Sequence, residues 1–256
     1  MITHVTEGVT RISQCVPEGT KHVHVAQYLI EGENDEYVLV DTGSTYEREE
    51  TLAEIEEAIG DGKLTTVLLT HSTLPHTENL KILDERWDDL EIIASTNNPT
   101  VAGLRNYAEH TKPKILNDSR EFAGRRFSFL DPLITDVVAT NWIYDHEAKM
   151  LVTAEGIGHY HDTDACALTS AEMEDGISAE NVLSFNEDKL PFLKAVDPEK
   201  LRRGFEVVFD TYDVEFLAPI HGNVVVKADI ERYIDETIRS VERIADAWEL
   251  PESTAD

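Results

Sequence analysis

The sequence predicts an α/β fold, on three observations. Short apolar runs rich in strand-forming residues recur along the chain, among them Tyr37-Val38-Leu39-Val40 and Leu64 to Leu69. Segments with apolar residues at helical spacing alternate with them, as at Leu52, Ile55 and Ile59. Polar turn clusters separate the two kinds, with no long Pro/Gly/Ser linker and no internal repeat.

Taken in order, Val23 to Ile30 and Tyr37 to Val40 read as two core strands of a hairpin, joined by the turn Glu31-Gly32-Glu33-Asn34-Asp35-Glu36. Glu47 to Ile59 is an amphipathic helix stopped by Gly60-Asp61-Gly62. Leu64 to Leu69 is a buried strand, Leu80 to Leu90 a helix, and Glu91 to Ser95 a further strand. Pro99 to His110 reads as a short helix, with proline at its start. In the second half, Arg126 to Leu130, Ala139 to Tyr144 and Met150 to Thr153 read as strands, with Asp145-His146-Glu147-Ala148 a hairpin turn. Pro198 to Tyr212 is helical, Val214 to Pro219 a strand, and Lys227 to Leu250 a terminal helix with apolar residues at Ile230, Ile234, Ile238, Val241 and Ile244. Each half thus offers strands followed by helices, and helices can cover the outer faces of two packed sheets. Periodicity alone stops at "α/β".

The 256 residues, 41% of them hydrophobic, suffice for one sizeable core, so residues 1–256 are expected to form a single domain. No apolar run approaches the roughly 18–20 residues that span a bilayer. The N-terminus has no basic segment followed by an apolar stretch, so the expected location is cytoplasmic. The formal charge is −29, with 51 acidic residues against 22 basic ones spread along the whole chain. Such a dispersed excess points to a solvated surface suited to high salt, a halophilic source. It argues against nucleic acid, which needs a basic footprint, and against anionic membranes. The two cysteines, Cys15 and Cys166, form no Cys-x-x-Cys pair and are expected as reduced, partly buried thiols.

Four segments carry chemistry: Thr70-His71-Ser72-Thr73-Leu74-Pro75-His76, Pro132-Leu133-Ile134-Thr135-Asp136, Thr153-Ala154-Glu155-Gly156-Ile157-Gly158, and Ala218-Pro219-Ile220-His221-Gly222. Each follows or adjoins an apolar strand, where loops hold functional groups on a rigid scaffold. Each offers an imidazole or carboxylate, ligand types suited to zinc, iron or manganese.

A strand running into Asp41-Thr42-Gly43, another ending at Thr70-His71, and Pro219-Ile220-His221-Gly222 near the C-terminus together resemble the metallo-β-lactamase superfamily. Asn141-Trp142-Ile143-Tyr144-Asp145-His146-Glu147 with Lys149 to Gly158, and the N-terminal pattern from Val9-Thr10-Arg11-Ile12 to Tyr28-Leu29-Ile30, resemble most closely its flavodiiron branch, the oxygen-reductase module. The resemblance covers essentially the full length and implies a four-layer αββα sandwich. The branch's usual flavodoxin extension is not in the sequence, so no flavin is expected to be bound by this chain itself.

In that branch the first metal loop reads His-x-Glu-x-Asp-His. Here His71 and His76 stand at its ends, while Thr73 and Pro75 replace the interior acids; threonine is a poor neutral ligand and proline has no side-chain donor. Asp136 aligns where the family has a histidine, Glu155 on its bridging aspartate, and His221 on its last histidine. The resemblance therefore implies a metal set of His71, His76, Asp136, Glu155 and His221. It is enough for one ion, iron with zinc or manganese as alternatives. His76, His221 and Glu155 form a two-histidine, one-carboxylate face, and His71 with Asp136 is left for a weaker second ion. Redox chemistry on O₂ or NO, with electrons from a redox partner protein, is one implied activity. Metal-dependent hydrolysis of a small-molecule substrate is another, and a non-catalytic binding or sensor protein a third. Flavodiiron relatives work as head-to-tail dimers, so a homodimer is the implied assembly, although its purpose of bringing flavin to metal falls away here. Asp41 is expected to support the His71 loop by hydrogen bonding. Gly43, Gly158 and Gly222 are expected where backbone turns tightly near the site. His159-Tyr160-His161-Asp162 reads as a solvated loop, with the mouth of the same pocket as its alternative, and His22 and His24 read as structural residues on one strand face.

Overall fold

The computed structural model describes residues 1–94, 111–113, 119–137 and 140–248. Its strands form two sheets. The first has seven strands in sequence order: β1 (Ile2–Thr6), β2 (Val9–Glu18), β3 (Lys21–Glu31), β4 (Glu36–Val40), β5 (Lys63–Leu69), β6 (Glu91–Ala94) and β7 (Thr111–Pro113). Its first four strands are antiparallel, and β4 to β7 run parallel. The second sheet has six strands: β8 (Ser119–Phe122), β9 (Arg125–Leu130), β10 (Trp142–Asp145), β11 (Met150–Val152), β12 (Phe216–Ala218) and β13 (Val225–Val226). Within it only β11 and β12 pair in parallel.

Alternation along the strands sets the layers, because successive side chains point to opposite faces. Tyr28, Ile30, Val38, Val40 and Leu68 of the first sheet pack against Phe127, Phe129, Ile143, Met150 and Val152 of the second. Their neighbours Leu29, Leu39, Val67 and Leu69 face the other way, onto Leu52, Ile55 and Ile59 of α1 (Arg48–Ile59) and past α2 (Leu74–Thr77) to Leu80 and Leu83 of α3 (Leu80–Arg86). On the far side, Trp142, Tyr144, Leu151 and Leu217 meet α4 (Ala179–Lys189), α5 (Pro198–Thr211) and α6 (Lys227–Ala247) through Phe185, Phe205 and Ile238 among others. Helix, sheet, sheet and helix follow in that order, the αββα sandwich. No helix among the described residues is long and apolar enough to cross a membrane.

Several expectations need correction. The helix expected to reach Leu90 ends at Arg86, because Trp87 is extended and Asp89 adopts φ +62°, outside helical space. The strand expected over Ala139 to Tyr144 begins at Trp142 and includes Asp145, and the one over Val214 to Pro219 is only Phe216–Ala218. The helix expected over Pro99 to His110 lies outside the described residues. Cys15 and Cys166 are not separate thiols: they form a disulfide, with Cα atoms 6.1 Å apart. The loop expected to be solvated is buried from His159 to His161, and only Asp162 stands exposed. His22 and His161 exchange backbone hydrogen bonds of 2.9 and 3.0 Å, which clamps this loop to β3 and buries His159 and His161 completely. The same clamp brings Cys166 to β2.

Candidate metal centre

Two parallel strand pairs, one per sheet, build the site. In the first, Val40 is registered with Leu68, so β4 and β5 release Asp41 and Thr70-His71 at adjacent ends. The Thr70 amide then donates to Asp41 Oδ1 at 2.8 Å and its hydroxyl to Oδ2 at 2.6 Å. In the second, Val152 is registered with Ala218, so β11 and β12 release Glu155 and His221 side by side. The carboxyl ends of parallel strands are the general place for ligands in α/β sheets. The sheets are tied there by Asn141 N–H to the Thr70 carbonyl (2.8 Å) and Tyr28 Oη to the Pro219 carbonyl (2.7 Å).

Around the site the backbone leaves ordinary conformational space. Asp41, Ala154 and Ile157 have φ of +59°, +50° and +56°. For a β-branched residue such as Ile157 this is a genuine outlier, and such strain persists only where the surroundings enforce it. Ala154 and Ile157 bracket Glu155 and turn its loop back toward the first sheet.

Four of the five residues implied by the sequence meet. His76 Nε2 lies 3.0 Å from Glu155 Oε1, His71 Nε2 lies 3.6 Å from the same oxygen, and His221 Nε2 lies 2.9 Å from Oε2. The far ring nitrogens are anchored outward, His76 Nδ1 donating to Asp41 Oδ2 at 2.7 Å and His221 Nδ1 to the His24 carbonyl at 2.6 Å. His71 and His76 stack with ring centroids 3.8 Å apart. Asp136 stands on an exposed turn after β9, outside these contacts. Its carboxyl is raised above its usual range by partial burial and by the negative charge of Glu155, so it flanks the cluster. Asp41 holds His76 rather than His71 directly, its support reaching His71 through Thr70.

The charge state follows from these contacts. Burial pushes His76 down, but the carboxylates of Asp41 and Glu155 outweigh it and raise its pKa to about 10. Burial and the neighbouring His76 cation lower His71 to about 2, leaving a neutral ring. Glu155 stays well below its ordinary value: burial works against ionisation, and His221 and His76 overcome it. Without an ion, the site is therefore a histidinium held between two carboxylates.

The donors fit an ion. Atoms bound at about 2.1 Å to one ion stand about 3.0 Å apart when cis and about 4.2 Å when trans. Ligand atoms of His71, His76 and Glu155 all lie within 4.8 Å of one another, and the 3.0 and 3.6 Å gaps to Glu155 Oε1 fall in that span, while His221 stands outside this group and meets the other carboxylate oxygen at 2.9 Å. A proton would satisfy the short gaps equally well. The ring orientation is what favours an ion: each Nε2 faces one shared carboxylate, and an outer partner fixes two of the rings, the usual surroundings of ligating histidines. The Thr73 side chain, standing in place of an acid, reaches His71 Nε2 at 2.7 Å. Pro75 lies in the first turn of α2 and gives the site no donor.

The glycines act by close approach. A Cβ on Gly158 would lie 2.5 Å from the Phe185 ring and 2.8 Å from the His221 carbonyl. Gly158→Ala is expected to cost about 1–3 kcal/mol of stability, as overpacking does, and urea unfolding checks this. Gly43, at φ +75°, lies against Gln27, and Gly222 lies against the buried His159.

Comparison with known proteins places this geometry. The chain belongs to the metallo-beta-lactamase superfamily, whose family model matches residues 21–166. Its structural neighbours are flavodiiron proteins. The flavodiiron protein from Giardia intestinalis superposes with a TM-score of 0.77 at 15% identity, covering 95% of this chain and 60% of that one. Rubredoxin oxygen:oxidoreductase from Desulfovibrio gigas gives 0.75 at 16% identity, covering 94% and 62%. A fragment of a diflavin flavoprotein from a Nostoc species gives 0.74 at 16% identity, covering 96% and 97%. The chain thus spans about three fifths of the full-length flavodiiron chains. No curated protein matches the sequence.

Proposed function

We propose that this chain is a flavodiiron-like metalloprotein holding one ion, iron with manganese or zinc as alternatives. The convergence of three Nε2 atoms on the Glu155 carboxylate carries the reading. His71, His76 and Glu155, whose ligand atoms lie within 4.8 Å of one another, supply a two-histidine, one-carboxylate set suited to such ions. His221, on the second Glu155 oxygen, would close the expected His76, His221 and Glu155 face, and Asp136 flanks the cluster for a weaker second ion. When bound, iron would supply electrons to a gas ligand such as O₂ or NO.

The chain's own residues prepare that chemistry. Asp41 and the His24 carbonyl set the tautomers of His76 and His221. Burial of His71 and His76 excludes water. The family's acids are replaced by Thr73 and Pro75, which removes the ligands a tight second ion would need. Electrons would come from a redox partner protein, and no flavin is assigned to this chain. The acidic excess supports work in high salt.

A second reading, a non-catalytic binder or sensor, is favoured by one observation: the Thr73 hydroxyl occupies His71 Nε2. Protein purified without chelators is expected to carry about one equivalent of iron, manganese or zinc per chain. Less than ~0.1 equivalent after reconstitution would sink the single-ion reading. O₂ or NO consumption by the iron-loaded chain with a reduced flavoprotein donor would favour the redox reading, and its absence at full iron content the binder.

A further inference from the structure

Behind the candidate centre lies a second cluster. His24 stacks on His161 with ring centroids 4.1 Å apart, and both are fully buried. Cys166 sits against them, its carbonyl accepting from Arg11 Nη2 at 3.0 Å and contacting His24 Nε2 at 2.8 Å. Ligand atoms of Cys15, Cys166 and His161 all lie within 4.8 Å of one another.

His161 is the informative member. Its Nδ1 is tied to the Asp162 carbonyl at 2.9 Å, which leaves Nε2 carrying the lone pair. Among the described residues Nε2 has no hydrogen-bond partner, and the side chain is 0% exposed. A buried polar atom left without a partner is costly and calls for a reason. A neutral imidazole with Nδ1 bonded to a carbonyl and Nε2 free beside two sulfurs is the arrangement of a ligating histidine.

We propose that Cys15, Cys166 and His161 form a second, thiol-dependent site for zinc or a similar thiophilic ion, open when the Cys15–Cys166 bond is reduced. Two sulfurs bound to one zinc at about 2.3 Å each stand about 3.8 Å apart. That separation fits inside the cluster as it stands, with Cα atoms 6.1 Å apart. Three protein ligands leave the fourth tetrahedral position to water. The conversion balances with a dithiol reductant: two electrons and two protons pass to the pair, giving two thiols, and the dithiol becomes a disulfide. Ion binding then releases both thiol protons, and a disulfide oxidant that takes two electrons from the thiolate pair, becoming a dithiol itself with two protons from solvent, restores the bond and expels the ion. In a cytoplasm, where thiols are kept reduced, the metal form would prevail.

Cobalt(II) tests this, because only thiolate ligands give a sulfur-to-cobalt charge-transfer band and the first centre, with nitrogen and oxygen donors, is silent in it. The protein is reduced with a phosphine, two free thiols are confirmed, and cobalt is titrated without oxygen. With cobalt added to beyond two equivalents, enough to fill both centres, the band is expected in the reduced protein, at an amplitude of one site per chain, and is expected to be absent in the oxidised protein. Cys15→Ser should diminish the band, and His161→Ala should weaken cobalt binding at least about tenfold. A reduced protein with two free thiols and no band overturns the proposal. So does a pair that resists reduction in the folded state, or an affinity unchanged in a folded His161→Ala variant. Should the variants not fold, the reduced and oxidised wild-type protein still decide.

Discussion

Glu155→Ala is expected to lower metal affinity by at least about a hundredfold, the upper end of what even outer-shell changes cost. Glu155 touches all three histidines, Oε1 meeting His76 and His71 while Oε2 meets His221. Removing it leaves imidazoles anchored from behind with no charge to gather an ion. Glu155→Asp restores the family's residue but shortens the side chain by one carbon–carbon bond. It should recover only part of the affinity, because the shorter carboxylate cannot keep both faces without moving Ala154 and Ile157. Competition against a chromophoric chelator reads both variants. Wild-type affinity in Glu155→Ala would remove this carboxylate from the site.

Much of this centre is legible because its residues sit within three positions of the ends of apolar runs. Asp41 follows Val38-Leu39-Val40, His71 follows Val67-Leu68-Leu69, Glu155 follows Met150-Leu151-Val152, and His221 follows Phe216-Leu217-Ala218. A strand end is visible in a sequence, and so is an imidazole just past it. The parallel pairing that sets two such ends side by side is long-range and leaves no local mark. Strand β2 was invisible to periodicity, since Arg11, Ser13 and Gln14 are polar yet buried beside Ile12. Helix α4 was missed because it buries Asn181 and Asn186 together with Val182, Leu183 and Phe185, which blurs its apolar stripe. The disulfide joins residues 151 apart, brought together by the clamp between His22 and His161 and by the bonds of Arg11 and His24 to the Cys166 carbonyl, none of which leaves a local mark in the sequence. Positive φ at Ala154 and Ile157 has no sequence signal at all, because neither residue favours it. The flanking place of Asp136 follows from its turn, whose exposed backbone carries it past the cluster.

Asp41→Ala is expected to destabilise the ion-free protein by about 3–5 kcal/mol near pH 6, the usual cost of breaking a buried charged pair from one side. Asp41 and His76 are both 0% exposed, and Asp41 also accepts from the amide and hydroxyl of Thr70. Alanine would leave those donors unmatched and the histidinium with Glu155 alone. Asn is tolerated at φ +59° and keeps one acceptor, so Asp41→Asn should cost less. The pH dependence gives the pair a signature. His76, raised from 6.5 to about 10, contributes stability that is complete below pH 6.5 and is lost as pH climbs toward 10. Glu155, depressed from 4.5, contributes stability that is complete above pH 4.5 and is lost as pH falls through its folded value. His71 and His159, lowered to about 2 and about 3, add acid sensitivity, because the unfolded chain takes up their protons below pH 6.5. Stability without metal should therefore peak near pH 6.5 and decline on both sides, the alkaline decline belonging to His76. Urea midpoints measured with a chelator at pH 6 and pH 9 should differ clearly in the wild type and far less in Asp41→Ala. An equal alkaline loss in both would show that Asp41 does not hold the His76 proton. Metal loading should also flatten the alkaline limb, since an ion on Nε2 takes the place of the proton directed at Glu155 and leaves a neutral ring whose Nδ1 proton Asp41 still holds.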